Sequence, residues 1–188
     1  MARLIIEGVT GAGKTATIAA LRALRQVELY DEDQTFGDFM QEWLADPHAT
    51  AVRKTSRLVQ VLSQIESARP RDCLIERFHF SYYALDGDWS MYAVVDERAA
   101  DLGVKLVLLD VADELLRTRS LYREEYGRTD WQHLIKLYGT ESAAIEALRR
   151  SQQRRRDALA KSRMECIVID TDSMDWTNYA ARIWMWAG

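Results

Sequence analysis

Prolines are scarce: Pro47 and Pro70 are the two in 188 residues. Both stand beside expected helix ends, and no proline-, glycine- or serine-rich stretch divides the chain, so one domain over residues 1–188 is expected. The two cysteines, Cys73 and Cys166, are too few for a disulfide framework, and no second cysteine or histidine lies at metal-ligand spacing. Both fall in apolar runs that read as strands, as reduced thiols of a cytoplasmic protein would. No apolar run approaches the ~20 residues of a membrane span, and no basic leader precedes the first apolar segment, so no membrane association is expected. A basic excess is missing too. Lys and Arg number 25 against 29 Asp and Glu, for a formal charge of −4, which argues against a nucleic-acid polymer as partner.

What is present begins near the N-terminus. Gly8-Val9-Thr10-Gly11-Ala12-Gly13-Lys14-Thr15 matches G-x-x-x-x-G-K-[ST], the loop whose glycines turn backbone N–H groups toward phosphate oxygens. The β-branched run Ala2 to Glu7 precedes it and the Ala- and Leu-rich segment Lys14 to Arg25 follows, as the strand and helix that such a loop needs. Gly8, Gly11, Ala12, Gly13 and Ala16 would then shape the cradle. Lys14 would reach the β- and γ-phosphates of ATP, and Thr15 would sit on Mg2+.

Further strands are expected at 27–30, 73–75, 104–109 and 165–169. Helices are expected at 35–45, 49–69 (with Val52, Leu58, Val61, Leu62 and Ile65 inward), 93–102, 113–123 and 140–162, and after a Ser173 cap. This alternation predicts an α/β fold with a parallel sheet covered on both faces and its ligands beyond the carboxyl ends of the strands. Those ends carry the phosphate loop, Asp31-Glu32-Asp33, Glu76-Arg77, Asp110 and Asp170. Acids along one edge suit magnesium and phosphate chemistry.

Individual residues sharpen this. Glu76 can hold a metal-bound water and Arg77 can grip a phosphate through two hydrogen bonds, the plainer alternative being a strand-end ion pair. Arg119 and Arg123, four apart on an expected helix, repel by ~0.2–0.5 kcal/mol unless an anion lies between them. A phosphoryl group in transfer is such an anion. Glu32, or an acid beside it, could serve as base for a hydroxyl acceptor. Phe36, Phe39 and Trp43, with Phe80, Tyr82 and Tyr83, predict core packing first and an aromatic wall second. Arg149, Arg150, Arg154, Arg155 and Arg156 lie on a helix with a narrow apolar face, so a solvated surface is expected.

Leu74-Ile75-Glu76-Arg77-Phe78-His79-Phe80-Ser81 resembles the strand-three signature of thymidylate kinases, and its Glu-Arg form resembles that of deoxynucleoside kinases. Arg117-Thr118-Arg119-Ser120-Leu121-Tyr122-Arg123-Glu124-Glu125 resembles their arginine-rich lid, at about 117–128. The resemblance implies a three-layer α/β/α sandwich around a five-stranded parallel sheet. It implies transfer of the γ-phosphate of ATP to a nucleoside, a nucleoside monophosphate or a similar small molecule. By the same resemblance, Thr15 and Glu76 would serve magnesium, Arg77 the acceptor, Arg119 and Arg123 the group in transfer, and Glu32 the proton. A homodimer is also in keeping with it, and the tryptophan-rich C-terminal segment could be its interface or part of the core. Tyr82 follows Ser81 where thymidylate kinases usually have a small residue, which keeps a non-nucleotide acceptor such as an antibiotic or a sugar open. A third reading is a nucleotide-binding regulatory module with slow hydrolysis. Against it, neither D-x-x-G nor N-K-x-D is present, and the third strand ends in Glu-Arg rather than Asp-Glu.

Overall fold

A computed structural model describes residues 1–35, 37, 42, 45–68, 71–122 and 132–188, the side chains of 47, 48, 132 and 133 excepted. Among these residues five strands form one sheet: β1 (Arg3–Gly8), β2 (Glu28–Tyr30), β3 (Cys73–Glu76), β4 (Lys105–Asp110) and β5 (Cys166–Asp170). All neighbours are parallel, in the order β2-β3-β1-β4-β5. The helices are α1 (Lys14–Leu24), α2 (Glu32–Thr35), α3 (Pro47–Ser67), α4 (His79–Asp86), α5 (Ala93–Asp101), α6 (Leu116–Leu121), α7 (Gln132–Tyr138), α8 (Glu141–Leu159) and α9 (Trp176–Ala187).

The central strand shows why the apolar runs are continuous rather than alternating. Ile5 of β1 packs with Ile75, Leu58, Leu62, Phe80 and Val95 under α3, α4 and α5. Its neighbours Leu4 and Ile6 pack with Ile18, Leu21, Ile183 and Trp184 under α1 and α9. A strand buried on both faces needs apolar residues at every position. The outcome is the expected α/β architecture, helices on both faces of a five-stranded parallel sheet.

Several expectations move. Val52 is 48% exposed although the other four residues of its stripe are buried. Capping of α9 falls to Asp175, whose carboxylate accepts the Asn178 N–H at 3.2 Å, while the Ser173 hydroxyl bonds that of Tyr179. The aromatic segment after Arg77 is a helix, α4, that periodicity did not give. Of the C-terminal tryptophans, Trp184 is core: it is 4% exposed and donates its indole N–H to the Leu21 carbonyl. Phe36, Phe39 and Trp43 lie outside the described residues, whereas Phe80, Tyr82 and Tyr83 are buried in the core.

A buried polar knot ties α4 to α5. Nε2 of His79 and Oδ1 of Asp96 are 3.0 Å apart, and Asp96 also accepts from the Ser162 hydroxyl and the Arg163 N–H. Burial alone would raise the Asp96 carboxyl, but these donors outweigh it and hold it below the usual value. Cys73 is buried, and desolvation pushes its thiol up to about 11. No helix among the described residues is long and apolar enough to cross a membrane.

Candidate active site at the carboxyl ends of the strands

The phosphate loop leaves β1 at Gly8, where a Cβ would lie 2.8 Å from the Leu109 carbonyl of β4. Gly11 and Gly13 then take φ of +87° and +91°, a region costly to residues with side chains. Both are also hemmed in. A Cβ on Gly11 would lie 2.4 Å from the Ser120 hydroxyl of α6, and one on Gly13 would lie 2.3 Å from the Trp176 ring of α9. The Ser120 hydroxyl donates to the Thr10 carbonyl at 2.6 Å, so α6 and α9 brace the loop. Ala12 is buried against Gly8, and Thr15 is exposed at the start of α1, with Ala16 half-buried after it.

Lys14 is 6% exposed and donates its ammonium protons to the carbonyls of Gly8 and Val9 at 2.9 and 3.2 Å. Burial drives its pKa well below the ordinary lysine value, and the charges of Arg77 and Arg155 add to the effect against Glu32 and Glu7. That list of neighbours shows the ends of β1, β2 and β3 converging on the loop.

At the end of β3, Arg77 takes a positive φ of 52° and sets its Nε 2.9 Å from the Glu32 carboxylate of α2. Strain of this kind in a residue with a long side chain gathers at functional sites. Arg77 is thus in an ion pair, one made with Glu32 and spanning two strand ends beside the loop. Thr35 of α2 donates to the Glu76 carbonyl, and Tyr82 donates to the Thr35 carbonyl, which fixes the turn carrying Glu32. The Glu76 carboxyl is raised by burial first, then by Glu32 and Asp31, against Lys14 and Arg77.

Behind these groups lies a network that the sequence did not mark. Glu7, fully buried, accepts the N–H of Phe78 and of Ser81 on Oε1 and the Ser81 hydroxyl on Oε2, at 2.7, 3.0 and 2.7 Å. Arg155 of α8 completes it, 3.5 Å from the Glu7 carboxylate and donating to the hydroxyls of Ser81 and Ser151. Burial brings its guanidinium down to about 10, against the pull of Glu7 and with Arg77 repelling it further. The solvated face expected for this helix thus fails at Arg155, which is 3% exposed. It fails also at Arg154, which donates to the carbonyls of Ala84 and Leu85 at the end of α4.

A cavity of about 470 Å³ opens between the loop, α4, α7 and α8. Thr10, Glu32, Arg77 and Ser81 line it on the loop side, and Arg150, Arg154 and Arg155 line it from α8. Leu85, Leu134, Leu137 and Tyr138 give it an apolar wall.

Arg119 and two of the strand-end acids have partners of their own. The guanidinium of Arg119, 7% exposed, donates to the Thr171 carbonyl and stands 5.7 Å from the centre of the Trp176 ring. Helix α6 stops at Leu121, and Arg123 lies outside the described residues. Asp110 is held by two hydrogen bonds of 2.9 Å from Arg156, and Asp170 accepts the N–H of Asp172. Asp110 is therefore tied to α8, and Asp170 to its own turn.

No protein-family model and no curated protein matches the chain. Solved structures do. YorR from Bacillus subtilis, in complex with phosphorylated GDP, is similar over 97% of this chain and 94% of its own, at 12% identity and a TM-score of 0.63. Deoxyadenosine kinase from M. mycoides with bound dATP is similar over 97% and 99%, at 16% identity and 0.59. Shikimate kinase from Acinetobacter baumannii in complex with shikimate is similar over 99% and 92%, at 17% identity and 0.62.

The chain has the P-loop kinase fold.

Within that fold, the donor set suits magnesium. Among the described residues no three His, Cys, Asp or Glu side chains gather as a metal cage. The half-buried carboxyl of Glu76, which burial disfavours as an anion, would gain from a divalent cation beside it, and the sequence offers the exposed Thr15 hydroxyl as a second ligand. One carboxylate with substrate phosphates and water is how magnesium is usually held.

Proposed function

We propose that this protein is a cytoplasmic, ATP- and magnesium-dependent phosphotransferase acting on a small molecule, with nucleosides and nucleotides as the leading acceptor class. The observation that carries the reading is the meeting of a buried Lys14 with Glu32, Glu76 and Arg77, of which Glu32 and Arg77 also line a cavity large enough for a small organic molecule.

Lys14 and the loop amides, those of Gly11 and Gly13 among them, bind the β- and γ-phosphates of ATP, where the N-terminus of α1 favours negative charge. Magnesium would be held by Thr15 and Glu76. When bound, it would supply neutralisation of the phosphate charge. Arg77 orients the acceptor, and Arg119 with Arg123 serves the group in transfer. The bond from the γ-phosphorus to its bridging oxygen breaks, a bond to an acceptor oxygen forms, and ADP leaves with the electron pair. Should the acceptor be a hydroxyl, its proton passes to Glu32, which Arg77 releases as it turns toward phosphate.

The test is a coupled ADP-release screen across nucleosides, nucleoside monophosphates and unrelated alcohols. ADP release that depends on a small acceptor supports the proposal. Turnover indifferent to every acceptor but raised by a protein would overturn it in favour of a regulatory module.

A further inference from the structure

The charge of the cavity wall is one-sided. Among the described residues four arginines line it, Arg77, Arg150, Arg154 and Arg155, against the single carboxylate of Glu32. Two of the four have carboxylate partners close by, Arg77 with Glu32 and Arg155 with Glu7. The other two do not balance so well. Arg154 spends one nitrogen on the carbonyls of Ala84 and Leu85, which carry partial charge alone. Arg150 has Glu146 at 3.9 Å, with both side chains more than half exposed, a pair of little worth.

Arg150 and Arg154 stand one turn apart on α8, where like charges are mildly unfavourable without an anion between them. Deeper in, burial first and the Arg77 charge second lower the pKa values of Lys14 and Arg155, with Arg155 itself adding to the effect on Lys14. Facing the arginines is the apolar surface of Leu134, Leu137 and Tyr138.

We infer that the cavity takes an acceptor with an apolar or ring-bearing body and an oxyanion, a phosphate monoester or a carboxylate, gripped by Arg150 and Arg154. Guanidinium groups suit such planar or tetrahedral oxyanions because they donate two hydrogen bonds at once. A neutral nucleoside leaves this wall unpaired and is discriminated against. The identity of the site as an acceptor site rests on the phosphotransferase reading; its affinity for anions does not.

The experiment has two arms, both with the full chain. First, the phosphate loop is filled with Mg2+ and a non-hydrolysable ATP analogue, and inorganic phosphate is titrated by calorimetry. One saturable phosphate site is expected, weakened about tenfold or more in Arg150→Gln and in Arg154→Gln and less in Arg154→Lys, which keeps the charge but loses the two-bond grip, with affinity for the analogue unchanged. No saturable site, or one indifferent to both glutamine variants, overturns the inference. Second, turnover is compared within pairs: a nucleoside with its 5′-monophosphate, and a hydroxy acid with its methyl ester. The anionic member should be preferred about a hundredfold in kcat/KM, and Arg154→Gln should raise its KM about tenfold while leaving kcat within about twofold. The pair that is turned over tells phosphate monoester from carboxylate. Preference for the neutral member overturns the inference and leaves the phosphotransferase standing. Phosphate binding without turnover of any pair sustains the anion site and counts against the phosphotransferase.

Discussion

Glu7 holds Ser81 by both ends, accepting its N–H at 3.0 Å and its hydroxyl at 2.7 Å. The strand that feeds the phosphate loop is thereby tied to the helix that follows Arg77. Donor and acceptor sides of the site thus share one buried carboxylate, which Arg155 faces from α8.

That sharing makes Glu7 costly to change. Glu7→Gln should lower stability by about 2–4 kcal/mol in denaturant unfolding, since it removes a charged acceptor and strands the buried guanidinium of Arg155. Arg155→Met should cost a similar amount, and the double variant less than the sum of the two. Strict additivity would mean that the two groups do not depend on each other.

Gly13 is constrained twice, by its φ of +91° and by the Trp176 ring. Gly13→Ala should destabilise the protein by about 1–2 kcal/mol from backbone strain, with a further loss as the ring is displaced. In a Trp176→Ala background the second loss should vanish and the first remain. Thermal unfolding of the four proteins measures both, and equal costs of Gly13→Ala in the two backgrounds would dispose of the ring contact.

Glu76 should trade stability for activity. Its folded pKa is raised above the ordinary 4.5, chiefly by burial, so the ionised carboxylate present at neutral pH destabilises the empty protein. Glu76→Gln should therefore melt higher than wild type near pH 7. At about pH 3.5, where the carboxyl is protonated folded or unfolded, the gain should disappear. Magnesium-dependent transfer should fall about a hundredfold. A variant that melts lower at pH 7 would contradict this account.

Local patterns carried much of the fold into the sequence. The loop motif needs eight consecutive residues, and β1, which feeds it, is apolar over Leu4, Ile5 and Ile6 because both its faces are covered. The pairing that builds the site is long-range, and no window of sequence contains it. Glu7 reads as the last residue of a strand until its contact with Phe78, 71 positions away, is seen. Arg155 reads as one of a run of solvated arginines until α8 is laid across α4. For the same reason Asp110 looked like part of a magnesium edge, although Arg156, on a distant helix, neutralises it. Helix α4 escaped notice because its eight residues are nearly all buried and show no amphipathic period; Glu7 sets its start.

The central claim is phosphoryl transfer through Lys14. Its folded pKa is lowered, first by burial and then by Arg77 and Arg155, so at neutral pH the buried charge costs stability, a cost that fades as pH rises from the lowered folded pKa and is gone past the ordinary 10.5. Lys14→Ala should therefore keep its fold and melt at or above the wild-type temperature near pH 7. The decisive measurement follows the labelled γ-phosphate of ATP onto the acceptor found by the screen, in wild type and in purified Lys14→Ala. The account predicts a loss of about a thousandfold or more in a folded variant. Transfer at the wild-type rate by that variant would contradict it.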